Sequence, residues 1–137
     1  MKKIQKFSKS KTVILIISAI AVIGVIIALF NLINPVYTLT YHENYDPGAK
    51  HIINIYKKKI IVKDYYYSST VEKKTKTKEN TLNFDEALVK RIINYIKKNN
   101  IPTVIDDAKK ENIDEDTKIF YSGLINNDKE KVTKLLK

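Results

Sequence analysis

Ile60–Lys98, IIVKDYYYSSTVEKKTKTKENTLNFDEALVKRIINYIKK, is the stretch in which the hydrophobic pattern changes from a period of two to a helical one of about 3.6 residues. Ile60 to Tyr67 is β-branched and aromatic and reads as a strand. Ser69 to Lys78 alternates, with Thr70, Glu72, Lys74, Lys76 and Lys78 on one side and Val71, Lys73, Thr75 and Thr77 on the other. So polar a strand belongs at a sheet edge, where lysines discourage pairing with a second chain. A helix follows over about 83–98. Asn83 is its expected N-cap, with Glu86 as the capping-box partner and Asp85 favourable in the first turn. Phe84, Leu88, Ile92, Tyr95 and Ile96 recur at helical spacing, Val89 and Ile93 widen the stripe, and Asn99-Asn100-Ile101-Pro102 ends it. Strands followed by a one-sided helix give an α+β fold.

Toward the N-terminus, His51 to Tyr56 reads as a strand joined to Ile60–Tyr67 by a hairpin, although Lys57-Lys58-Lys59 is not preferred turn chemistry. Tyr45-Asp46-Pro47-Gly48 is a turn, and Val36 to Tyr41 is a first strand. The expected sheet is small and antiparallel, with three or four strands over about 36–78, packed by the helix of about 83–98. The remainder, about 102–137, reads as helical. Pro102 opens a short helix, Asp114 caps the next, and Thr117–Ile125 and Lys129–Leu136 form a hairpin around Asn126-Asn127-Asp128. Ile119, Phe120, Leu124, Ile125, Val132, Leu135 and Leu136 supply its apolar faces.

The segment Ser122–Leu136, SGLINNDKEKVTKLL, resembles the helix pair of an ankyrin repeat, without the preceding threonine-proline-leucine-histidine turn. One such unit cannot bury its own face, so the resemblance implies a small helical hairpin capping the domain. Ile52–Lys98 as a whole is similar to a pattern in small, uncharacterised single-pass exported proteins of Gram-positive bacteria, where a hairpin ending in a lysine- and threonine-rich strand leads into an amphipathic helix. That resemblance implies a fold and carries no catalytic motif.

Upstream of the domain, Thr12–Ile33 is 22 residues long and uncharged, and at about 1.5 Å per residue a helix of this length crosses the hydrocarbon of a bilayer. A cleaved signal peptide has a shorter apolar core followed by a small-residue site. Here the core ends in Phe30-Asn31-Leu32-Ile33-Asn34-Pro35, so a retained signal-anchor is expected. Phe30 and Tyr37 are candidate interfacial anchors. Lys2, Lys3, Lys6, Lys9 and Lys11 precede the span with no acid to offset them, whereas Glu43 and Asp46 come before the first lysine after it. This asymmetry sets residues 1–11 as a cytoplasmic tail, 12–33 as the span and 34–137 as an extracytoplasmic domain. Gly24 and Ala28 form a small-xxx-small pair suited to helix dimerisation. The chain has no cysteine, which excludes disulfides and cysteine lipidation.

The remaining chemistry is sparse. His42-Glu43-Asn44-Tyr45-Asp46 has aspartate where the helical H-E-x-x-H metal motif needs a second histidine, and His51 lies nine residues from His42. The segment from His42 to Asp46 is expected to be a solvated polar loop, and two histidines with loose acids do not make a site. Ser68, Ser69 and Ser122 lack a nucleophile-elbow glycine pattern, and three glycines provide no phosphate-binding loop. Asp106-Asp107 and Asp114-Glu115-Asp116 miss the spacing of a calcium loop. The sequence therefore gives no catalytic, cofactor or metal residue, and a pocket holding both His42 and His51 is what would revive an enzyme. Lysine outnumbers arginine 24 to 1 beside 22 isoleucines, the skew of an AT-rich genome. Lys57, Lys58, Lys59, Lys73, Lys74, Lys76 and Lys78 are the candidate polyanion contacts, set among tyrosines. With one arginine to read bases, nucleic acid is not the expected partner. The expected role is a non-enzymatic, membrane-anchored binding module that engages another envelope protein or a toxin. The alternative is a structural protein attached to anionic wall polymer or lipid headgroups through those lysines.

Overall fold

The computed structural model describes residues 2–43, 48–68, 73–109 and 112–137. The chain divides into two units, Met1–Asn34 and Pro35–Lys137. The first is one helix, α1 (Lys2–Ile33), so the basic tail continues the helix of the apolar segment. Its stretch Ser10–Phe30 is long and apolar enough to cross a membrane, and none of it is buried. Large side chains along it, from Val13 to Ile33, are more than half exposed.

The second unit is α+β. It contains β1 (Tyr37–His42), β2 (Ala49–Ile55), β3 (Ile60–Ser68), β4 (Lys73–Thr81), α2 (Glu86–Lys98), β5 (Val104–Asp106), α3 (Glu115–Ile125) and α4 (Lys129–Leu135). The sheet has five strands in the order β4-β3-β2-β1-β5, rather than three or four. It is mixed rather than antiparallel, because β5 lies parallel to β1, with Thr40 opposite Val104 and His42 opposite Asp106. β5 occupies the place where a short helix after Pro102 was expected. Three residues hold too little pattern to announce a strand, and β5 exists because Tyr41 and Ile105 pair on the buried face. The expected turn at Tyr45–Pro47 and the start of the third strand at Ser69–Glu72 lie outside the described residues. β4 does form a sheet edge, but it runs on to Thr81. A bulge sets Lys78 opposite Asp64 and Lys76 opposite Tyr65, so two positions that a regular strand keeps in phase fall out of phase.

Helix α2 begins later than expected. Its N-cap is Asp85, whose Oδ1 accepts from the Leu88 N–H at 2.9 Å, and not Asn83. Phe84 and Val89 then occupy the two positions of a hydrophobic staple, both buried, which an Asn83 cap would not allow. The stripe does what its spacing implies: Leu88, Val89, Ile92 and Ile96 are buried against the sheet residues Leu39, Ile53, Ile55, Ile60, Val62 and Ile105. Asp114 caps α3 as expected, accepting from the Thr117 N–H at 2.7 Å, and this bonding holds its carboxyl below the usual range. Helices α2 and α3 both end on asparagines in the left-handed region, Asn100 and Asn127, where a short polar side chain tolerates positive φ.

The helical hairpin is part of the core rather than a cap over it. Phe120, Leu124 and Val132 are fully buried in the same cluster as α2 and the sheet. Tyr37, a candidate membrane anchor, also packs against that cluster. The α3–α4 contact closes over Gly123, where an added Cβ would stand 2.6 Å from Val132 Cγ2. Because Val132 is itself fully buried, it has nowhere to retreat. Gly123→Ala is expected to lower stability by about 1–2 kcal/mol, overpacking outweighing alanine's better helix propensity. Adding Val132→Ala should recover part of that loss in a denaturant titration; an unchanged midpoint in the single variant would mean that α4 is free to shift.

Candidate functional site

Helices α2, α3 and α4 bury their apolar residues on one face of the sheet. The opposite face is built from alternate residues of each strand. One row runs Val104–Thr40–Ile52–Lys63–Glu79, and the next Asp106–His42–Lys50–Tyr65–Lys76. Beside them Thr38 donates a hydrogen bond to Asn54 Oδ1 at 3.1 Å, opposite Ile61. Ile52, Ile61, Lys50, Lys63 and Tyr65 are half-buried, and Val104 is 54% exposed. Ile52 and Ile61 stand outside the core cluster. The result is a flat surface on which aliphatic and aromatic side chains alternate with threonine, asparagine and lysine.

The seven candidate lysines are not gathered in one place. Lys57, Lys58 and Lys59 form the exposed β2–β3 turn, closed by Tyr56 N–H donating to Lys59 O at 2.9 Å. Lys73 and Lys74 lie opposite Ser68 and Tyr67, at the other end of β3. Nine residues of strand at about 3.3 Å each separate the two groups. Lys76 and Lys78 fall between them, out of phase with each other. Gly24 lies on α1 with open space where a Cβ would be, so a close neighbour can approach the helix there; Ala28 is four residues on and exposed.

The surroundings of His51 are what the sequence did not announce. It sits on β2, the strand expected there, in phase with Ala49, Ile53 and Ile55, and is 4% exposed. Its Nδ1 lies 2.5 Å from Asp64 Oδ1 and its Nε2 2.9 Å from Glu43 Oε1. Asp64, at 7% exposure, shares its phase on β3 with Ile60 and Val62. The Tyr66 ring meets the imidazole edge-on at 6.5 Å, and Tyr41 lies tilted at 6.2 Å. Each ring nitrogen thus faces a carboxylate oxygen at hydrogen-bond distance, and the tautomer decides which of them donates. The two carboxylates sit at opposite ends of the ring and so do not converge on a single cation. Among the described residues no group of three or more potential ligands is placed to hold a metal. His42 neighbours Tyr41 on β1 and therefore lies on the other side of the sheet from His51, whose partner across the ladder is Tyr41.

Glu43 borders a hollow of about 320 Å³, together with Tyr41, Lys118, Tyr121, Ser122, Ile125 and Asn126. Ser122 Oγ there accepts from Asn126 Nδ2 at 3.2 Å. Tyr41 O–H donates to Asp107 at 2.5 Å, and Tyr121 O–H donates to the carbonyl of Pro102. Burial pushes the Tyr121 phenol well above its ordinary 10.0. Tyr95 is raised as well, by burial and then by Asp116 and Asp114. Folding thus holds both phenols neutral, while the unfolded chain ionises them near pH 10. The contribution of the two phenols to stability is therefore fully present below about pH 10 and is lost as the pH rises beyond it. Tyr121→Phe should flatten that alkaline fall in unfolding free energy, and an unchanged slope would show that Tyr121 does not contribute to it.

Comparison with protein-family models, with curated proteins and with solved structures finds no match for this chain. The buried pair was readable in principle: His51 and Asp64 each sit in phase with core isoleucines and valines on strands expected to be neighbours. The helix-free face required knowing where α2, α3 and α4 pack.

Proposed function

We propose that the chain is a single-pass membrane protein with its N-terminus in the cytoplasm and its domain outside, acting as a non-enzymatic binding module. On this reading Ser10–Phe30 is the anchor. Twenty-one residues with every apolar side chain uncovered have no place in water, and the lysines that precede them favour the cytoplasmic side.

The observation that carries the binding role is the helix-free face of the sheet. Tyr65, Ile52, Ile61 and Val104 supply rigid contact area, and Thr38, Thr40, Asn54 and Lys63 supply polar contacts between them. Such a mixture, with an aromatic near the middle, has the composition of an interface that forms and dissolves between folded proteins. The partner is accordingly an envelope protein or an incoming toxin.

The test uses the full chain in intact cells. A membrane-impermeant amine cross-linker is applied from outside, and the chain is then captured at high salt. A discrete cross-linked protein that disappears with Ile52→Glu and Tyr65→Ala is the expected result. A product that survives both substitutions moves the interface elsewhere. Retention of only an anionic polymer, lost as salt rises, favours the structural alternative, and no reaction from outside overturns the topology.

A further inference from the structure

The lysine turn lies at the end of the domain where the chain enters it. Val36 N–H donates to Ile55 O at 2.7 Å, so the second residue of the domain is pinned beside the end of β2. Lys57, Lys58 and Lys59 follow within four residues of Ile55, all exposed, on a turn held shut by its own backbone hydrogen bond. Lys59 Nζ sits 5.5 Å from the centre of the Tyr56 ring. Three consecutive lysines in so short a turn repel one another and supply none of the φ preferences that turns favour. An adjoining anionic surface would relieve that repulsion.

We propose that Lys57, Lys58 and Lys59 form a foot that binds the phosphates of anionic lipids in the leaflet from which the chain emerges. The inference rests on the reading of Ser10–Phe30 as a membrane span. Between Ile33 and Val36 the chain has only Asn34 and Pro35, a tether of about 10 Å at full extension. The headgroup layer on each side of the hydrocarbon is about 5–8 Å thick. A tether of that length keeps Val36, and the lysine turn close to it in the domain, within reach of the headgroup layer. Lysine suits this task as a compact point charge for phosphate.

The full chain is reconstituted into nanodiscs of phosphatidylcholine, with or without phosphatidylglycerol, and its lysines are labelled by a water-soluble amine reagent and read by mass spectrometry. In the anionic discs Lys57, Lys58 and Lys59 should label about fivefold more slowly than in the neutral ones, the effect of about 1 kcal/mol per lysine near a charged surface. High salt should erase the difference, and Lys90, Lys97 and Lys134 should show none. Lys58→Gln should speed labelling of the two lysines that remain in the anionic discs. Equal rates in both discs, or equal slowing at Lys97, overturn the foot while leaving the span intact. A chain that does not enter the discs overturns both.

Discussion

His51→Ala is expected to cost about 3–5 kcal/mol, much of the stability of a domain this size. The imidazole stands between two carboxylates, one of them almost fully enclosed between β2 and β3. Removing it leaves Asp64 in a low-dielectric site without that partner and opens a gap beneath Tyr66 and Tyr41. The loss should be larger than that of Glu43→Gln, because the Glu43 side chain retains 24% exposure and water can replace part of its bond. Pairing His51→Leu with Asp64→Leu removes the charge together with its partner and should recover much of what the single substitution loses. Denaturant titration of the full chain in detergent, followed by tyrosine near-UV circular dichroism, reads these values. A loss below about 1 kcal/mol for His51→Ala would mean that water reaches the carboxylates and that the cluster is a surface feature.

The second large effect is expected at Phe120. The side chain is wholly buried, with its ring 5.1 Å from Tyr95 of α2 and 6.4 Å, edge to face, from Tyr121. It is the wedge that joins α3 and α4 to α2. Phe120→Ala should cost about 3–5 kcal/mol through lost burial and the cavity left behind, whereas Phe120→Leu, which keeps most of the volume, should cost far less. Because Phe120 touches Tyr95, amide exchange should speed up across both α2 and α3 and not along α3 alone. Faster exchange confined to α3 would show that the C-terminal hairpin is a separate cap, as its repeat-like sequence suggested.

How far the chain could be read in advance depended on the range of the interactions involved. Helices α2, α3 and α4 were visible because periodicity and caps are local: Asp114 and the asparagines after each helix act within a few residues of themselves. The start of α2 was misplaced by two residues because Asn83 and Asp85 are both good caps, and the burial of Phe84 decides between them. β5 was invisible, since Val104–Asp106 becomes a strand only when β1 is beside it. The shifted phase of β4 follows from a bulge that nothing in the alternation of lysine and threonine requires. For the site, the lysines were visible as residues but not as two groups at opposite ends of a strand. The strand position of His51 was legible, but its burial shows only when its phase is compared with Ile53 and Ile55.

One feature of the topology bears on mechanics. The chain enters the sheet through β1, which has β2 on one side and β5 on the other. A pull on Pro35 directed along β1 is therefore resisted by two ladders whose bonds are strained together, as in a lap joint. An edge strand loaded crosswise would instead open one bond at a time. β1 also contributes Thr38 and Thr40 to the helix-free face, so a partner seated there and a tether at Pro35 would draw on the same strand. Force between them would be carried by a strand paired on both sides, while β4, on the far edge, would remain unloaded.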